Sequence, residues 1–104
     1  MIQPIIDSAQ FEAVIQEKQQ ALVIFWAAWC GSNRFVLPMF EAMSRTYETR
    51  TDLQFLFVDV DENPDLAQQE KVYEIPMVAH YISGKRRHEQ TGTLDIDQLK
   101  AWLD

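Results

Sequence analysis

The sequence predicts an α/β fold: a mixed central β-sheet flanked by helices on both faces. Three observations carry this. "ALVIFWA" (21–27) and "LQFLFVDV" (53–60) are nearly continuous apolar runs rich in β-formers, the pattern of strands covered on both faces. Segments with helical apolar spacing alternate with these runs. The chain then closes with two strand-like segments around a turn and one last helical segment, so the sheet must contain antiparallel as well as parallel pairs.

Taken in order, residues 2–6 are apolar and β-compatible and predict a short first strand. Asp7 then caps a helix, with Gln10 three positions on to reach back; Phe11, Val14 and Ile15 give that helix one apolar face. After the 21–27 strand, a helix is predicted from Gly31 to Tyr47, with Phe35, Met39, Met43 and Tyr47 at four-residue intervals on its apolar side and Val36 and Phe40 beside them. The methionines at this spacing read as core. Pro38 lies inside the helix and kinks it, because proline lacks the backbone donor. After the 53–60 strand, Asn63 and Pro64 read as cap and first turn of a third helix. "MVAHYI" (77–82) and "RRHEQ" (86–90) flank a Ser83-Gly84 turn as a hairpin. Gly92 breaks the chain, and a final helix turns Leu99, Trp102 and Leu103 inward. The order is β-α-β-α-β-α-β-β-α.

With 104 residues, nearly half of them apolar, the chain reads as a single domain spanning 1–104 with a substantial core, and disorder is excluded. The longest uncharged apolar run, "ALVIFWAAWC", is too short to span a bilayer. "MIQPIID" lacks the basic start and apolar stretch of a signal peptide. There is one cysteine, so no internal disulfide, which fits a reducing compartment. The expectation is a soluble, cytoplasmic protein, with no membrane partner. The net charge of −7 argues against nucleic acid as a partner, since phosphate binding needs a concentrated basic face. The one basic cluster, "GKRRH" (84–88), reads as a solvated hairpin. His80 reads as a hydrogen-bonded interior histidine and His88 as exposed. Two histidines and a cysteine so far apart have no zinc-site spacing, and no cofactor or metal is expected.

The stretch "WAAWCGSNR" (26–34) holds the candidate chemistry. Together with Pro38, "DVDENP", the Ile75-Pro76 pair, Gly84 and Gly92, it resembles the thioredoxin family over nearly the whole chain. Trp29, Cys30 and Gly31 match the start of the family's Trp-Cys-Gly-Pro-Cys site, and Trp26 matches the tryptophan before it. The resemblance implies a thioredoxin fold, a cis peptide bond before Pro76, and a groove for an extended peptide. Trp29, Ile75, Pro76 and Gly92 match that groove, with Thr91 beside it. It also exposes departures. Asn33 stands where the second cysteine is expected, and Ser32 where the intervening proline is. The buried carboxylate of the central strand falls at Ile24, and the lysine near it at Phe57.

Dithiol disulfide reduction needs a second thiol to break the mixed disulfide formed by the first. Asn33 offers no nucleophile, so that activity does not carry over. The first half does: Cys30 at the N-terminus of the kinked helix is expected to be an exposed thiolate, favoured by the helix dipole and unpaired N–H groups, with hydrogen bonds from Ser32 or Asn33. The losses at 24, 33 and 57 are coordinated, since a buried carboxylate has no task once the second thiol is gone and costs several kcal/mol to keep. This reads as a natural single-thiol variant.

Two functions stand side by side. In one, Cys30 forms mixed disulfides with a protein partner carrying an extended segment and a thiol or disulfide, or with glutathione, and an outside thiol resolves them. In the other, the groove is a non-catalytic peptide-binding adaptor that works by strand addition. A redox sensor that oxidises, or links into a Cys30-to-Cys30 dimer, is a third reading.

Overall fold

The structure is a computed structural model that describes residues 2–29, 33–92 and 94–104, and the side chains of all of these except Asn33 and Arg34. The elements run β1 (Ile2–Pro4), α1 (Ser8–Glu17), β2 (Gln20–Trp26), α2 (Asn33–Thr46), β3 (Leu53–Asp59), α3 (Pro64–Gln69), β4 (Met77–Ile82), β5 (Lys85–Thr91) and α4 (Ile96–Leu103). The five strands form one sheet in the order β1-β3-β2-β4-β5. β1 and β2 run parallel to β3, while β4 is antiparallel to β2 and β5 to β4.

β2 sits at the centre because it has something to bury on both faces. Ala21, Val23 and Phe25 enter one core with Phe11 and Ile15 of α1 and Leu66 of α3. Leu22 and Ile24 enter the other with Val36, Phe40 and Met43 of α2 and Leu99 and Leu103 of α4. Each large aliphatic or aromatic side chain removed from water in this way is worth about 1.5–3 kcal/mol.

Local signals act as expected at the element ends. The Asp7 carboxylate accepts from the Gln10 backbone N–H at 2.8 Å, while the Gln10 side chain reaches one residue past the cap and accepts from Ile6 N–H at 2.7 Å. Ser83 and Gly84 both have positive φ, 52° and 82°, the pair of left-handed residues that a two-residue hairpin turn of type I′ requires. Asn63 does more than precede α3. Its side chain makes no cap bond; buried, it donates from Nδ2 to the carbonyls of Ile5 at 3.3 Å and Asp59 at 3.0 Å, tying the end of β1 to the end of β3.

The inward face of α2 differs from the expected one. Met43 is buried, but Phe35 is 66% and Met39 38% exposed. The reason is geometric: each four-residue step overshoots a helical turn by about 40°, so a series in register at Met43 has rotated out to solvent by Phe35. Val36, Phe40 and Met43, spaced four and then three, stay on the buried stripe. His80 is interior and hydrogen-bonded and His88 is exposed, as expected.

Candidate functional site

Strand direction decides what meets at the candidate site. Trp26 at the end of β2 lies beside Asp59 at the end of β3. Phe25 lies beside Met77 at the start of β4, and Met77 beside Thr91 at the end of β5. The segments that follow β2 and β3, precede β4 and follow β5 therefore gather at one end of the sheet. In open α/β sheets, ligands bind where connections leave the strands' carboxyl ends.

Trp29, Ile75, Pro76, Thr91 and Gly92 are all brought to this end. Trp29 is 68% exposed, and its indole Nε1–H donates to Asp61 Oδ1 at 3.2 Å. Asp61 is itself placed by a tight turn in which Asp59 Oδ1 accepts from the backbone N–H groups of Asp61 at 2.9 Å and Glu62 at 3.3 Å. The Val60 N–H bond to the Trp26 carbonyl, 2.9 Å, holds that turn to β2. Asp61 was not singled out from sequence; its signal was the "DVDENP" segment, which gives no hint of which carboxylate meets the indole.

The Ile75–Pro76 peptide bond is cis. Ile75 is half-buried, Pro76 buried and Thr91 exposed. The Gly92 N–H donates to the Pro76 carbonyl at 3.0 Å, closing β5 against the start of β4. Gly92 needs its missing side chain for its backbone: φ is +74°, while a Cβ there would meet nothing closer than Glu74 Oε1 at 3.8 Å. Backbone and not space requires glycine here.

Cys30, Gly31 and Ser32 lie outside the described residues, as does the Asn33 side chain; Asn33 is the first described residue of α2. The layer beneath the site is described. Ile24 is fully buried and lies directly beside Phe57 in the β2–β3 register. Phe57 packs on Trp26, ring centroids 5.4 Å apart. Among the described residues, no acceptor meets the buried Trp26 Nε1–H. Ile24, Phe57 and Trp26 make this layer apolar, and among the described residues no carboxylate bonds the Trp26 N–H.

The thioredoxin family model matches residues 3–104. The chain belongs to the thioredoxin family. It is 32% identical over 92 residues to thioredoxin-1 of Schizosaccharomyces pombe, covering 88% of this chain and 86% of the relative. To a Staphylococcus aureus thioredoxin it is 32% identical over 99 residues, covering 95% and 92%. Among solved structures, Plasmodium falciparum thioredoxin superposes with a TM-score of 0.85 at 27% identity, covering 95% of this chain and 94% of that one. Malassezia sympodialis thioredoxin does so with a TM-score of 0.86 at 29% identity, covering 98% and 89%. The chain is thus a thioredoxin-like redox protein with one cysteine in its sequence. Among the described residues, no helix is long and apolar enough to cross a membrane.

Proposed function

We propose that this thioredoxin-like protein is a single-thiol exchanger. The Cys30 thiolate attacks a partner disulfide, a Cys30–partner disulfide forms, and the partner's other sulfur leaves as a thiolate. An external thiol, glutathione or one on the partner, then attacks the mixed disulfide and frees Cys30 as the thiolate. The observation that carries this reading is the pairing of a retained Trp29-Cys30-Gly31 with Asn33 and an apolar Ile24–Phe57 floor. That combination keeps attack and discards internal resolution. A lone unpaired thiol of this kind works in a reducing, cytoplasmic setting. Trp29, Ile75, Pro76, Thr91 and Gly92 supply the wall against which an extended partner segment lies.

The test is capture of partners from lysate by the intact chain and by Cys30→Ser. Complexes that survive denaturation without reductant, dissolve with it, and vanish in Cys30→Ser support the exchange. In insulin reduction driven by a small thiol, the chain should barely exceed the thiol alone; turnover equal to a dithiol thioredoxin overturns the reading. A second reading, a groove adaptor, is favoured by one observation: Trp29 and the Ile75–Pro76 and Thr91–Gly92 segments converge without any role for sulfur. Equal capture of the same partners by Cys30→Ser selects it.

A further inference from the structure

Beside the Pro76 end of the groove, a cleft of about 500 Å³ opens between the α3–β4 connection and β5. Met77 forms its floor; Tyr73 and Glu74 stand on one side, Glu89 and Thr91 on the other. Strand pairing puts these groups together. Met77, Ala79 and Tyr81 face the core under α1 and α3, and their β5 partners Thr91, Glu89 and Arg86 share that face. An irregularity in register between His80, which faces His88, and Tyr81 brings Arg86, and not Arg87, opposite Tyr81. Met77 is buried, while Tyr73 is 85% exposed.

Charge is sorted along this end of the sheet. Arg86 donates to Glu89 Oε2 at 3.1 Å and to the Glu70 carbonyl, and lies 3.6 Å from Glu70 Oε1, so its charge is already matched. Around the cleft, Glu70, Glu74 and Glu89 outnumber Lys71 and Arg86. On the groove's other flank, Trp29 donates to Asp61, which shares its turn with Asp59 and Glu62. Lys18, Arg50 and Lys85 lie toward the opposite end. Lys18 and Arg50 bind the Thr51 and Leu103 carbonyls there, and Lys85 starts β5.

We propose that the site selects partner segments with a lysine or arginine beside the reacting cysteine, and that this cleft holds the basic side chain. Such selection rests on the Cys30 exchange proposed above and names its partner's chemistry. The aliphatic stem of the basic residue lies over Met77 and against Tyr73. Its charged head meets the Tyr73 ring face and the Glu74 and Glu89 carboxylates. An acidic side chain there meets an excess of like charge. Thr91 belongs to both the cleft and the groove, so one extended segment reaches both. Carboxylates on both flanks also speed encounter with a cationic segment and slow it with an anionic one, an effect that salt screens.

Peptides alike except for lysine, glutamine or glutamate beside a single cysteine test this, each capped as its mixed disulfide with thionitrobenzoate. The Cys30 thiolate attacks the peptide sulfur, a Cys30–peptide disulfide forms, and thionitrobenzoate leaves as a coloured thiolate. At low salt, the lysine peptide should react about tenfold faster than the glutamate peptide, and added salt should shrink that ratio. Glu74→Gln and Tyr73→Ala should each lower the lysine-over-glutamine ratio about twofold to fivefold. Glu48→Gln, which removes an equal charge beyond the far end of α2, should not. Rates independent of peptide charge, or a ratio that Glu74→Gln and Tyr73→Ala leave unchanged, overturn the cleft. No release from any peptide refutes the exchange itself. Serine versions of the peptides, titrated into Cys30→Ser, then decide the cleft: tighter binding of the lysine peptide supports it, and equal binding overturns it.

Discussion

Ile24→Asp restores the type of residue the resemblance places at this position, and the structure says what it would do. Ile24 is fully buried between Phe57 and Val78 of the flanking strands. Losing its packing costs about 3 kcal/mol, mid-range for large-to-small core changes. With Phe57 and not a lysine beside it in β3, the new carboxyl has no cation on the neighbouring strand to pair with. Burial should raise its pKa above 7, so at about pH 7 it must be held protonated. That costs about 4 kcal/mol, 1.36 kcal/mol for each of roughly three pH units above the unfolded value near 3.9. The unpartnered Trp26 Nε1–H, two residues along the same face of β2, returns about 1 kcal/mol if it finds the new acceptor. The net loss is about 6 kcal/mol out of a total near 5–15 for a chain of this size.

The sign with pH follows. A carboxyl whose folded pKa is raised is least harmful below its unfolded value and grows more harmful as pH rises toward the folded one. At about pH 5, the protonation part falls to about 1.5 kcal/mol, so the loss shrinks by about 2.7 kcal/mol. Urea unfolding of the parent and variant at both pH values measures this, and referencing each to the parent cancels the pH dependence common to both. A loss under about 1 kcal/mol, or one equal at the two pH values, would refute the buried, uncompensated placement of position 24.

Other expectations test separate parts of the account. Asn63→Ala removes a buried donor that serves two carbonyls, Ile5 and Asp59, and should cost about 2–3 kcal/mol in urea melts. Met39→Lys should stay within about 0.5 kcal/mol of the parent, as expected of an exposed helix position; a core-sized loss would return Met39 to the interior. Asp61→Ala frees the Trp29 indole from its 3.2 Å bond. It should leave stability nearly unchanged, because the bond is exposed, yet lower the yield of reductant-sensitive complexes captured at Cys30.

Sequence showed most of the architecture because its signals were local. The Asn63-Pro64 helix start, the Ser83-Gly84 turn and the doubly apolar β2 each depend on neighbouring residues alone. It misplaced the outer part of α2 because a four-residue repeat looks like a single face over one step and is not one over three. It could not pair His80 with His88, because one irregularity in strand register changes which side chains meet. The resemblance marked Trp29, Ile75, Pro76, Thr91 and Gly92 as a set, and the structure brings them to one end of the sheet, but the Trp29–Asp61 bond needed the two strand ends brought side by side. The orphaned Trp26 N–H has no sequence signal at all, since a missing partner shows only in three dimensions.

The alternation of β2 between two cores also insulates the protein from its own remodelling. Ile24, Trp26 and Phe57 belong with α2 and α4, whereas Val23, Phe25, Phe11 and Ile15 belong with α1 and α3. Sites on opposite sides of a sheet share few partners, so their effects on stability add independently. The layer that holds Ile24 and Phe57 can be repacked while the opposite layer keeps the sheet in register. A lineage with this topology can exchange the machinery on one side of its central strand without renegotiating the other.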